Sequence, residues 1–272
     1  MQKLVQALFR VLGVVAPRLG GKLAYVLFFK PFRVKLRPKE EDVKQTGKEH
    51  SVVVEGKKCY YTVWGEGPAI ILSHGWSSKG LHYHKFVEPL LQQGFQVVIP
   101  DFPAHVRSEG SSTNILQFKA MLLELLNRHP NTVAMVGHSL GAMANILTLA
   151  DYPKKLEKMV IVNSAIRAET IMDRYMTQIA GNDRIKDRLY IELQQQFGQD
   201  FLYFSTAKRI HDIKQLPKMM VVVDDKDPDA PLNEGKEMAE QTNSLLHVTE
   251  GLGHNRGLKD DNVVEQVVQF LA

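Results

Sequence analysis

TVAMVGHSLGAMANILTL, residues 132–149, is the stretch on which the reading of the whole chain turns. Val133-Ala134-Met135-Val136 is an apolar run with the length of a buried strand. Leu140 to Ala150 is rich in Ala, Leu and Met, residues that favour helix. Between them stands Gly137-His138-Ser139-Leu140-Gly141, a G-x-S-x-G placed where a strand would turn into a helix. So tight a turn strains the serine backbone, and side chains two residues either side would strike the crossing strand and helix. Glycine at 137 and 141 removes those side chains. The Ser139 hydroxyl would then stand clear of the sheet, at a helix N-terminus whose amides favour developing negative charge. On this stretch alone, a Gly-Ser turn without chemistry is the plainer alternative.

Composition sets the outer bounds. The chain has 272 residues, 44% of them hydrophobic and 24% charged, which is ordinary for a soluble globular protein with a substantial core. The net charge of +4 comes from basic residues scattered along the chain, apart from the first forty, so there is no nucleic-acid footprint. The single cysteine, Cys59, excludes an internal disulfide framework and reads as a packed thiol in a strand-like run. No histidine, cysteine or acidic cluster is spaced for a metal, and no cofactor is expected.

Residues 1–49 read as a helical extension. Leu4, Val5, Leu8, Val11, Leu12 and Val15 fall at helical spacing, broken by Pro17 and then Gly20-Gly21, and a second apolar run covers Leu23 to Phe29. Neither run approaches the roughly 20 residues of a spanning helix. Arg10 interrupts the apolar region and Val15-Ala16-Pro17 is a poor cleavage site, which argues against a secretory signal. The expectation is a helical hairpin packed on the body of a cytoplasmic protein. The alternative is a basic, amphipathic surface at residues 1–40 that touches membrane.

From His50 the pattern changes to short strands. Ser51–Glu55 and Lys58–Gly65 flank Gly56-Lys57, a predicted hairpin. Ala69 to Ser73 is a buried strand running into His74-Gly75-Trp76-Ser77-Ser78. Glycine immediately past a buried strand lets the backbone turn its amides toward a site. The amides of Trp76 and Leu140 are thus candidates for the two donors of an oxyanion hole, with His74 structural. Strands at 95–99, 159–162, 219–223 and 244–249 alternate with helices at about 82–93 and 113–128, and the helix after Ser139 should end near Tyr152-Pro153. That alternation predicts a mostly parallel sheet with helices on both faces.

Taken together, His74-Gly75-Trp76-Ser77, the loop Asp101 to Gly110, Gly137 to Gly141, and Gly251-Leu252-Gly253-His254 resemble the serine hydrolases of the α/β-hydrolase fold, from about residue 50 to the end. The likeness is greatest to single-domain bacterial enzymes of the esterase type with a basic N-terminal extension. The resemblance implies a hydrolase domain over 50–272, with a helical cap inserted at about 165–217 in three helices. His138, Met172, Tyr175, Met176 and Phe201 are the candidates for the pocket, with Phe197, Tyr203 and Phe204 also near it. Val106 stands where the family commonly has glycine, which bears on the conformation of its loop.

Serine needs a base, and the base needs an orienting group. His254 lies in a glycine loop after the last strand, and glycines there would let it swing between Ser139 and a leaving group. The order Ser139, Asp227, His254 is the one this fold uses. Four carboxylates crowd residues 224–229, and the family's D-x-x-x-P arrangement selects Asp227 with Pro231; Asp224, at the strand end, is second. The expected activity is ester hydrolysis through an acyl-enzyme on Ser139, with a small-molecule ester as substrate. Serine at 139 argues against the aspartate-nucleophile dehalogenases and epoxide hydrolases. A thioesterase or other serine-triad hydrolase is the enzymatic alternative. A catalytically silent ligand-binding or membrane-associated protein is the other, and it predicts ligand binding unaffected by Ser139→Ala.

Overall fold

Strand pairing explains why the motifs meet. The computed structural model describes residues 2–152 and 156–272. Its strands are β1 (Lys48–Val54), β2 (Lys57–Trp64), β3 (Ala69–Ser73), β4 (Gln96–Asp101), β5 (Thr132–His138), β6 (Lys158–Val162), β7 (Lys218–Asp224) and β8 (Leu245–Thr249). They form one sheet in the order β1-β2-β4-β3-β5-β6-β7-β8, antiparallel at the first two pairings and parallel thereafter. This is the α/β-hydrolase fold that the resemblance implies, with the mostly parallel sheet that the alternation of elements predicts. The central strand β3 is buried throughout, matching a near-continuous apolar run covered on both faces. All the parallel strands carry their C-terminal ends to one edge, so Ser73, His138, Val162, Asp224 and Thr249 lead into neighbouring loops. The β1–β2 turn is Glu55-Gly56, one residue earlier than predicted. Both residues have positive φ (46° and 77°), as a two-residue hairpin turn demands.

The helices are α1 (Gln2–Val15), α2 (Pro17–Phe28), α3 (Pro38–Gln45), α4 (His84–Gln92), α5 (Ile115–Arg128), α6 (Leu140–Asp151), α7 (Ala168–Ile179), α8 (Asp183–Phe197), α9 (Thr206–Arg209), α10 (Leu232–Thr242), α11 (Gly253–Arg256) and α12 (Asp261–Leu271). Phe118, Met121, Leu122 and Leu125 of α5, Ala142 and Ile146 of α6, and Met238 of α10 fill one face of the sheet. Phe86, Val87 and Leu90 of α4, with Val263, Val267 and Leu271 of α12, fill the other. α6 ends at Asp151, with Tyr152 as its cap; Pro153, the other residue expected at that end, lies outside the described residues. The third expected cap helix is instead a chain of short turns, 201–204, 206–209 and 210–212. Ser205 is extended between the first two, and its hydroxyl is turned to the Ala168 amide.

The N-terminal helices do not lie on the sheet. Phe9 and Ala24 join Met172, Met176, Ile179, Ile185 and Leu189 in a third apolar cluster, so α1 and α2 cover the outside of α7 and α8. Gly20-Gly21 does not break the helix as its composition predicts. α2 runs through both glycines, and a Cβ on Gly21 would lie 2.3 Å from the Arg188 Cβ. The pair is a flat strip that lets α2 approach α8, where ordinary side chains would hold the helices apart.

α3 was not legible beforehand, and it carries a buried charge. Glu40 pairs with Lys79, both side chains almost wholly out of water, and the Lys79 ammonium also donates to the Lys35 carbonyl at 2.8 Å. Breaking a buried pair by removing one partner strands the other. Glu40→Gln is therefore expected to destabilise the fold by about 3–5 kcal/mol, read from urea denaturation at neutral pH.

Candidate active site

Ser139 occupies the turn between β5 and α6 with φ 53° and ψ −125°. The glycines around it are there for space. A Cβ on Gly141 would lie 2.2 Å from the Ser73 carbonyl oxygen, and one on Gly137 would lie 2.4 Å from Ala142 Cα. The Ser139 amide donates to the Val162 carbonyl at 3.0 Å, and the Ser164 hydroxyl donates to the Ser139 carbonyl at 3.0 Å. The strained turn is thereby tied to β6 and the loop beyond it.

His254 Nε2 lies 2.9 Å from Ser139 Oγ, and His254 Nδ1 lies 2.7 Å from Asp227 Oδ2. The three residues expected from the sequence are thus brought together in one hydrogen-bonded chain, within the hydrogen-bond reach that proton transfer needs. The Asp227 side chain is shielded from water, while His254 stays partly exposed. The other oxygen of Asp227 accepts the amides of Asp229 and Ala230, so the carboxylate is fixed at both ends.

Asp224, the second choice for the acid, is placed differently. Its carboxylate accepts from the Thr249 hydroxyl and the amides of Lys226, Leu252 and Gly253, at 2.7–3.0 Å. Burial works to raise this carboxyl, but the bonds from Thr249, Gly253, Lys226 and Leu252 outweigh it and hold it below the usual carboxylate range. Asp224 therefore staples the loop that carries His254. The imidazole is accordingly not on the freely swinging loop its glycines suggest. It sits in the single turn α11, with its own carbonyl held by His138 Nε2 at 2.7 Å and Asn163 Nδ2 at 3.1 Å. Gly251 and Gly253 supply positive φ (67° and 64°) at the entry to that turn.

His138 is consequently not a pocket wall. It lies buried beneath His254, their ring centroids 4.8 Å apart. Burial first, and the charge of His254 next, push it down to about 3. Met172 and Met176, expected at the pocket, are not pocket walls either: both are buried in the interface between the cap and the N-terminal helices. The Tyr175 hydroxyl donates to the Ala24 carbonyl, and its ring packs edge-on to Phe28. Phe201 also packs edge-on to Phe28. These aromatic and sulfur side chains hold the extension to the cap.

The loop after β3 passes directly over the serine. A Cβ on Gly75 would stand 2.9 Å from Ser139 Cβ, so only glycine admits this approach. Among the described residues, the amides of Trp76 and Leu140 donate to no protein acceptor, which leaves both available to an oxyanion. Two histidines wire this loop to the one after β4. His74 Nδ1 donates to the Gly75 carbonyl and its Nε2 accepts the Phe102 amide. His105 Nδ1 donates to the Pro103 carbonyl and its Nε2 accepts the Ser77 amide. Val106 takes a left-handed φ of 44° despite its branched side chain. Arg33 of the extension clamps that loop through the carbonyls of Val106, Ser108 and Gly110, at 2.6–2.9 Å.

Burial keeps these histidines neutral. His74 lies well below its usual value, and His82 and His105 are each pushed down to about 4. A histidine depressed in the fold contributes stability above its unfolded value near 6.5, and loses it as pH falls toward the folded value. Buried Asp101, raised to about 6, acts in the opposite sense and offsets one of them. About two to three protons should be taken up on unfolding near pH 5. Stability measured by urea titration should accordingly fall steeply from pH 6.5 to 4.

Among the described residues, the one grouping of potential metal ligands is Asp227, Asp229 and His254. The Asp227 and His254 donor atoms face each other, and Asp229 pairs with Arg174 at 2.6 Å, so the set reads as an acid–base relay beside a surface ion pair.

The sequence profile of the α/β hydrolase fold matches residues 68–183, a span that holds the loop after β3 and the serine turn. That match agrees with the sheet order and the serine turn. The chain has the α/β-hydrolase fold. A magnesium-chelatase 30 kDa subunit of Rhodobacter capsulatus is 30% identical over 105 residues, 37% of this chain and 36% of that protein. A pimeloyl-[acyl-carrier protein] methyl ester esterase of Vibrio campbellii is 25% identical over 179 residues, 64% of this chain and 68% of that one. The structure of a Pyrococcus furiosus esterase superposes with a TM-score of 0.66 at 23% identity, over 89% of this chain and 97% of that one. The matches thus span from about a third to two thirds of the length of these two curated relatives.

Asn163, Ser164 and Arg33 were missed by sequence reasoning. Asn163-Ser164 directly follows a buried strand at the same sheet edge, and that position was the available signal. Arg33 had none.

Proposed function

We propose that this chain is a serine hydrolase acting on carboxylic esters through an acyl-enzyme on Ser139. The observation that carries the reading is the hydrogen-bonded chain Ser139–His254–Asp227, at 2.9 and 2.7 Å. His254 Nε2 takes the hydroxyl proton as Ser139 Oγ attacks the acyl carbon, and Asp227 holds Nδ1–H and stabilises the imidazolium. The amides of Trp76 and Leu140 receive the carbonyl oxygen as it becomes negative. Two such donors matter, because losing one typically costs ~100 to 1,000-fold in rate. His254 then returns the proton to the leaving alcohol. A water, activated by the same imidazole, releases the acid and restores the serine. The methyl ester esterase among the relatives supports the choice of a carboxylic ester as the bond class.

Fluorophosphonate labelling tests the nucleophile, and a short-to-long acyl panel offered as paired oxygen esters and thioesters tests the bond. The expected result is one adduct, on the peptide containing Ser139, with faster turnover of the oxygen esters. Absence of labelling on folded protein would reject the proposal. Preference for the thioesters would move the assignment to the thioesterase class.

A further inference from the structure

α1 turns its apolar residues in two directions. At 3.6 residues per turn, Val5, Phe9 and Leu12 lie on the side that packs against the cap. Leu4, Leu8, Val11, Val14 and Val15 form a second arc, about 120° wide, on the opposite side. That arc faces solvent, with Leu4 77% and Val15 71% exposed. Lys3 and Arg10 flank it, both exposed. α2, the next helix, likewise exposes Leu19 and Val26 beside exposed Arg18 and Lys22. Phe32, which follows α2 in the chain and is 78% exposed, lies beside the loop after β3, since its amide donates to the Ser77 hydroxyl. A patch of this kind on a folded chain marks an interaction surface.

The charge around it selects the occupant. Residues 1–40 contain nine basic side chains (Lys3, Arg10, Arg18, Lys22, Lys30, Arg33, Lys35, Arg37, Lys39) and one acid, Glu40. All nine are exposed, whereas Glu40 is buried against Lys79. A two-fold pairing of this surface with a second copy would set cations against cations. An anionic phospholipid bilayer is complementary to both features, taking the apolar arc among its acyl chains and the cations at its phosphates. None of the described helices is long and apolar enough to cross a membrane. The orientation open to α1 is therefore flat in the interface.

We propose that the exposed face of α1, with the exposed apolar residues of α2 and Phe32, docks this protein on anionic membrane surfaces. The test is flotation of the full chain with vesicles of phosphatidylcholine alone, and with phosphatidylglycerol added. It is carried out on the Ser139→Ala background, so that its outcome is independent of the proposed reaction. The expected result is co-flotation with the phosphatidylglycerol vesicles in physiological salt, little with phosphatidylcholine alone, and release at high salt. Replacing Leu4, Leu8 and Val15 by Glu should weaken partitioning about a hundredfold or more, with circular dichroism unchanged because all three side chains are exposed. A parent chain that stays at the bottom with anionic vesicles would overturn the proposal, as would a triple variant that floats equally well. So would a parent that is dimeric in light scattering, made monomeric by the substitutions, and never bound to vesicles. That last outcome would assign the face to a second copy.

Discussion

Ser139→Ala is expected to lower ester turnover by about a millionfold, to the background of the uncatalysed reaction, in a chain that remains folded. The side-chain oxygen has one partner, His254 Nε2, so its removal leaves no buried donor stranded. The backbone bonds that hold the turn, from the Ser139 amide to Val162 and from Ser164 to the Ser139 carbonyl, do not involve it. Alanine also keeps the Cβ, so the positive φ at 139 is equally strained in both chains and the thermal midpoint should hardly move. Active-site titration with a fluorophosphonate separates the outcomes. No burst and no label are expected in the variant, against one equivalent per chain in the parent. A folded variant that retained a hundredth of the parent rate would contradict the proposed nucleophile.

The parts of this site that could be seen in the sequence are those where backbone geometry restricts residue choice. Gly75, Gly137 and Gly141 each face an atom too near for a Cβ, and that demand leaves a mark in the sequence even without an alignment. Side-chain packing leaves no such mark. Met172 and Met176 have the spacing of an inward face, yet spacing does not say which element lies opposite, and here α1 and α2 take that place. Gly20-Gly21 is ambiguous for a related reason, since a glycine pair signals a helix break and a close helix contact equally well. Arg33 meets its loop 73–77 residues later in the chain, a pairing that only the tertiary structure creates. Its clamp accounts for how Val106 can hold a conformation usually left to glycine.

Asp227→Asn should cut kcat on the order of ten-thousandfold while leaving the fold nearly as stable. An asparagine can still accept the amides of Asp229 and Ala230 through its carbonyl oxygen. What faces His254 Nδ1 is then an NH2 group, so the imidazole must turn to the tautomer that cannot take the Ser139 proton. Asp224→Asn should behave in the opposite way. Both Asp224 oxygens are committed, one to the Lys226 and Gly253 amides and the other to Thr249 and Leu252. An NH2 group in place of either oxygen sets donor against donor and should destabilise the fold by about 2–4 kcal/mol. The parent carboxyl is lowered in the fold, so its contribution to stability is present above its unfolded pKa. That contribution is lost as pH falls through the folded value, and the cost of Asp224→Asn should therefore shrink in strong acid. Turnover in this variant should drop far less at low temperature, where the His254 turn remains seated, than near its lowered melting point. Urea denaturation and kcat measured on both variants decide between the two acids. A stable Asp224→Asn chain with a ten-thousandfold loss, beside an active Asp227→Asn chain, would exchange their roles.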